Sequence, residues 1–325
     1  MDRVEVSRSG FLTDLTTSEG QLHRFTAICH IMHARGILAT DTLTSWIQEE
    51  LGLTNIKVIK RHIRTMESLG LLVREDVGYV LSSGGKALYA LAPSNLGKGL
   101  ELAEKVFYLR ALASYVPLQF ISVLAAILEN AGGPKERAIT SYGQKILSGS
   151  TWEDKFDLKL RLSRQPDSPP RKLQNNFDCF RLWLKQLELV EPDALRLTRM
   201  GEKLAEIAGR QGDALREEIY WAAAGYMCDE PGCLPKYEDR TGRTHFLRLL
   251  HEAYALFERP ELHLSDVRSM SVYVCTKSLV ENRQILGEES FRQLIRVLLS
   301  EGILRSAIAG RDGKLAYISL GFDAR

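Results

Sequence analysis

From Asn55 to Leu69 the apolar residues Ile56, Ile59, Ile63, Met66 and Leu69 recur at steps of three and four, the period of a helix with one apolar stripe. The remaining positions of this segment are polar and largely basic. Upstream, Asp41 to Leu51 predicts a second helix, with Thr40 or Asp41 as its N-cap and Gly52 in the turn between the two. That pair makes a helix-turn-helix pattern. An earlier helix over Gln21 to Ala34 completes a three-helix core. Downstream, Asp76-Val77-Gly78 turns a short hairpin. Three helices closed by a hairpin predict a winged helix.

The same pattern repeats. Leu69-Gly70-Leu71-Leu72-Val73 followed by Leu81-Ser82-Ser83-Gly84-Gly85-Lys86-Ala87-Leu88 is echoed by Leu187-Glu188-Leu189-Val190 and Leu197-Thr198-Arg199-Met200-Gly201-Glu202-Lys203-Leu204. A looser third copy runs through Ser300-Glu301-Gly302-Ile303-Leu304, with a return strand at Leu315 to Leu320 and a turn at Gly310-Arg311-Asp312-Gly313. The second unit is expected to hold helices over Leu100 to Leu112, Leu118 to Asn130 and Ile139 to Leu147. A charged, proline-rich insertion over Gly149 to Pro170 follows, then a helix with Leu173, Phe177, Phe180, Leu184 and Leu187 on its apolar side. The third is expected from Thr244, with helices over Phe246 to Phe257 and Glu288 to Leu299, after a linker over Cys228 to Arg243. The fold expected is mainly α with short β-hairpin wings: three tandem winged-helix domains over residues 1–95, 96–227 and 228–325.

Helices of this kind enter the DNA major groove, where Arg or Lys pairs with guanine and Asn or Gln with adenine. The first candidate recognition helix carries Asn55, Lys57, Lys60, Arg61 and Arg64 outside its stripe, and the second Arg171, Lys172, Gln174, Asn175, Arg181 and Lys185. A single basic helix face is as readily a solvated surface; two at the same place in a repeat favour DNA. The third helix shows a mixed face of Glu288, Glu289, Arg292, Gln293 and Arg296, which predicts little base contact. Arg305, Arg311 and Lys314 on its wing, and Arg161 and Arg164 in the insertion, are candidate phosphate contacts.

Composition narrows the partners. The 325 residues carry 43 Lys and Arg against 41 Asp and Glu, a net charge of +2, so DNA must be held by local patches. No apolar run reaches the roughly 18 residues of a membrane span. The N-terminal residues lack a signal-peptide pattern, which predicts a cytoplasmic protein. Five cysteines, an odd number, agree with a reducing compartment. Cys228 and Cys233 have no second ligand pair nearby, and His23, His30 and His33 lack acidic or Cys partners, so neither a metal nor a cofactor is expected. Trp46, Trp152, Trp183 and Trp221 are expected in cores. No phosphate-cradling loop, dinucleotide fingerprint or His-Glu-x-x-His motif occurs.

From Asn55 to Gly132, including Ser114-Tyr115-Val116-Pro117, and again from Ile139 to Leu204, the order of segments resembles the DNA-recognition region of FokI-like type IIS restriction endonucleases. The third unit matches in outline. The resemblance implies three winged-helix subdomains, of which two supply most base contacts and the third has been turned to protein contacts. It also implies a nuclease of the PD-(D/E)xK type elsewhere, because Pro192-Asp193 and Glu153-Asp154-Lys155 do not form that motif here. The expected function is sequence-specific double-stranded DNA binding without catalysis in this chain, with a nuclease domain or subunit as a partner. A transcriptional regulator and a scaffold that binds only proteins are the alternatives.

Overall fold

In the first and third stretches of the chain a helix, a short extended crossing segment, two more helices and a returning pair of strands follow in the same order, whereas the middle stretch has four helices ahead of a single bridge. The computed structural model describes residues 21–36, 38–92, 99–149, 169–210, 214–228, 233–237, 239–258, 261–308 and 315–320. It is mainly helical with small antiparallel sheets. The first round comprises α1 (Leu22–His33), α2 (Thr40–Leu51), α3 (Ile56–Ser68), β1 (Leu72–Glu75), β2 (Gly78–Leu81) and α4 (Ser83–Leu91). Leu38, between α1 and α2, exchanges both backbone hydrogen bonds with Tyr79 at 3.0 and 2.8 Å, so it adds a third extended position beside β2. Gly52 closes α2 at φ +63°, and Asn55 starts α3 by accepting a hydrogen bond from the Lys57 N–H at 3.0 Å. The residue ahead of α2 is Ala39, which makes no side-chain cap. Thr40, expected as a cap, is instead the first helical residue.

The second round comprises α5 (Leu102–Tyr115), α6 (Pro117–Glu129), α7 (Lys135–Gly149), α8 (Arg171–Gln186), α9 (Arg199–Arg210) and α10 (Ala214–Ala223). Its hairpin is reduced to one bridge, Val190 to Leu197. The third comprises α11 (Asp239–Phe257), β3 (Glu261–His263), α12 (Leu264–Asn282), α13 (Glu288–Ser300), β4 (Leu304–Ile308) and β5 (Leu315–Leu320), with sheet order β3-β5-β4. Two expectations need correction here. α12 had no counterpart in the sequence reading, because Met270, Val272, Tyr273, Val274, Cys275 and Leu279 are buried on several sides of it and leave no one-sided period to read. The expected linker is shorter, since Lys236 already bridges to Ile285 and α11 begins at Asp239.

The repeat extends to individual hydrogen bonds. After α3, Leu71 N–H reaches Met66 O; after α8, Leu189 N–H reaches Leu184 O; after α13, Ile303 N–H reaches Leu298 O, at 2.8, 2.8 and 3.0 Å. Each bond spans a residue in the left-handed region: Gly70 at φ +68°, Glu188 at +56° and Gly302 at +73°. This is a Schellman ending made three times. In the first two rounds the chain returns through Ser82 and Thr198, whose hydroxyls donate to the carbonyls of Gly70 and Glu188 and accept from the N–H groups of Gly85 and Gly201. A Cβ at Gly85 or Gly201 would collide with the carbonyl of Leu71 or Leu189, so glycine is the residue that lets each returning helix approach.

The rounds share one core around α5. Residues on every side of this helix are buried, including Glu104, Tyr108 and Arg110. Tyr108 donates to Leu22 O at 2.9 Å, and Thr26 donates to Glu104 at 2.8 Å, which ties α1 to α5. Arg110 forms a buried ion pair with Glu288 at the start of α13. Ser83 of α4 donates to Asp266 of α12, and Lys86 pairs with Glu258 at 2.7 Å.

Candidate nucleic-acid interface

α3 buries Val58, Ile59, His62, Ile63, Thr65 and Met66 and leaves Ile56, Lys57, Lys60, Arg64 and Glu67 exposed, with Arg61 half-buried at the flank. Among the described residues no acidic side chain pairs with Lys57, Lys60 or Arg64. Asn55 is exposed, but its side-chain oxygen is engaged as the cap of the helix. The arrangement is a strip of cations on the outer side of the third helix, beside a hairpin. One position departs from the sequence reading: Ile56, expected on the buried stripe, is 50% exposed.

α8 occupies the equivalent place and buries Leu173, Phe177, Phe180, Leu184 and Leu187 as expected. Its polar residues are arranged otherwise. Arg171 and Lys172 are exposed in the first turn, and Asn175 is half-buried. Gln174 donates to Pro169 O at 2.6 Å, and Lys185 donates to Pro192 O. Arg181 lies 3.6 Å from Asp178, which also holds Lys135 at 2.6 Å. The pairing of Asp178 with Arg181 is an i,i+3 neighbour pair open to sequence spacing, whereas its contact with Lys135 is not. Its half-buried partner Lys135 lies 43 residues earlier, on α7.

The two helices meet on one side chain. Phe25 of α1 places its ring edge-on to His62 of α3 at 5.6 Å and to Trp183 of α8 at 6.2 Å. Leu22 N–H donates to Gln186 of α8 at 2.8 Å, which adds a polar tie beside the aromatic one. Behind them, burial pushes the Glu104 carboxyl above its ordinary range against the opposing hydrogen bonds from Glu101 and Thr26, and pushes the Tyr108 hydroxyl up as well. These buried groups hold α1 in place.

On α13, Arg292, Gln293, Arg296 and Val297 are exposed, but Glu288 is buried against Arg110 and does not belong to the outer face as the sequence suggested. Arg305 is exposed on β4. Arg161, Arg164, Arg311, Lys314, Trp152, the Glu153-Asp154-Lys155 run and the Gly310–Gly313 turn lie outside the described residues. Trp183 is fully buried, whereas Trp46 and Trp221 are half-buried, each beneath a cation, Arg35 at 3.7 Å and Lys236 at 4.8 Å. His30 and His33 pack on Tyr89.

Cys228 and Cys233 lie side by side, with their Cα atoms 6.5 Å apart. Among the described residues no group of three or more His, Cys, Asp or Glu side chains is placed to hold a metal ion, and no single helix is long and apolar enough to cross a membrane. No family model, curated protein or solved structure matches the chain.

Proposed function

We propose that the chain is a cytoplasmic, sequence-specific binder of double-stranded DNA, built from three winged-helix units over residues 1–95, 96–227 and 228–325. The observation that carries this reading is the basic strip of Lys57, Lys60 and Arg64, without an acidic partner among the described residues, on the third helix of a helix-turn-helix, next to a hairpin. α3 lies in the major groove and supplies most phosphate attraction. α8 approaches the same stretch of duplex through Arg171, Lys172 and Asn175. Both helices touch Phe25 within 6.2 Å, whereas the half-sites of a helix-turn-helix dimer are about 34 Å apart, which favours one continuous asymmetric site over a palindrome. The resemblance to type IIS recognition regions extends the proposal. The chain serves as the recognition part of such a system, and its third unit docks a separate nuclease domain or subunit that performs the cleavage.

The engaged cations of α8 favour a second reading, a scaffold that binds only proteins. Selection of bound duplexes from a random library separates the two, with Arg64→Ala and Arg171→Ala run beside the parent. An asymmetric motif blurred at different positions by the two changes supports DNA recognition. Absence of any enrichment at low salt sinks it and leaves the scaffold.

A further inference from the structure

The apolar period of α3 contains one residue that the core does not use. Ile59, Ile63 and Met66 are at most 2% exposed, whereas Ile56, in phase with them along the sequence, is half-exposed. Ile56 and Lys60 are four residues apart, and Lys60 and Arg64 four more, so the three form one row along the outer face of the helix. The isoleucine heads that row in the first helical turn, directly after the Asn55 cap. In a helix-turn-helix it is the N-terminal turn of the recognition helix that reaches the base edges.

Resting on the DNA reading above, we infer that Ile56 is a specificity-determining residue that packs against the 5-methyl group of a thymine in the major groove. An exposed isoleucine gains free energy by leaving water for an apolar surface. The thymine methyl is the apolar group that base pairs present in that groove. The neighbours of Ile56 decide against an apolar protein surface as its occupant: Lys57 and Lys60 are exposed beside it, so a partner covering Ile56 would have to strip water from both charges. A DNA groove meets the two requirements together, since phosphates take the lysines while the methyl takes the isoleucine. Val77 on the hairpin provides a contrast. It is 68% exposed, but it follows Glu75 and Asp76, whose charges repel phosphate.

The test uses the full chain and the duplex recovered by selection, with each thymine replaced in turn by deoxyuracil, which removes the methyl and keeps the pairing. One replacement near the centre of the α3 contact is expected to weaken the parent about fourfold, the worth of one apolar carbon. The same replacement should leave Ile56→Ala unchanged. Ile56→Ala itself should weaken binding to the thymine duplex and retain the parent's melting temperature, since the side chain is half outside the core. Lys60→Ala serves as a control that weakens every duplex alike. If every deoxyuracil duplex binds parent and Ile56→Ala with the same ratio, the inference is overturned while DNA recognition stands. If no duplex is bound at low salt, the DNA reading falls and the inference falls with it.

Discussion

α3 and α8 stand at the same place in two copies of one framework and end in the same hydrogen-bonded turn, yet their outer faces differ. α3 turns Lys57, Lys60 and Arg64 to solvent, whereas beyond its first turn α8 ties Arg181 to Asp178 and Lys185 to a backbone carbonyl. The lesson is that a repeated backbone does not repeat a surface. Position in the fold says which side chains can reach a partner, and local ion pairing says which are ready to.

The largest effect expected is on the turn the two helices share. Gly70→Ala places a Cβ against the Tyr115 ring at a positive φ, and should cost about 2–3 kcal/mol of stability in denaturant unfolding. Next, Lys60→Ala combined with Arg64→Ala should weaken duplex binding about 30-fold at 0.15 M salt and flatten the salt slope by about two, measured by fluorescence anisotropy. The matching pair on α8, Arg181→Ala with Lys185→Ala, should do much less, and equal losses would break the comparison. Asp178→Asn should then sharpen it. Release of Lys135 and Arg181 is expected to raise affinity about fivefold at the same salt, and no change would place α8 away from the duplex. The smallest effect is Glu188→Gly. Relief of a non-glycine residue at φ +56° stabilises, loss of the exposed pair with Lys105 offsets part of it, and the net gain in melting experiments should be a few tenths of a kcal/mol.

Much of this was legible before any coordinates. Leu173, Phe177, Phe180, Leu184 and Leu187 fell on the buried side of α8 as their spacing demands, and Gly52 and the Asp76-Val77 turn were readable from residue type alone. What stayed hidden had a physical reason in each case. α12 is wrapped by neighbours and carries no one-sided pattern. Glu288 reads as a surface residue until Arg110, 178 positions earlier, is seen to bury it. Ile56 obeys the helical period but lies at the edge of the stripe, where period alone does not decide between core and solvent. The tie between Lys135 and Asp178 depends on α7 and α8 packing side by side, which pattern along the chain does not contain, whereas the pairing of Asp178 with Arg181 is an i,i+3 neighbour pair that spacing alone offers.

The helix α5 carries a consequence for the number of units. In an open repeat array each copy touches only its neighbours, so copies can be gained or lost at an end with the remainder intact. Here Tyr108 and Glu104 grip the first round, while Arg110 grips the third. Deleting either round would strip cover from a helix that has no polar side to turn outward. A lineage carrying this arrangement can alter its loops and outer faces freely, but its copy number is locked.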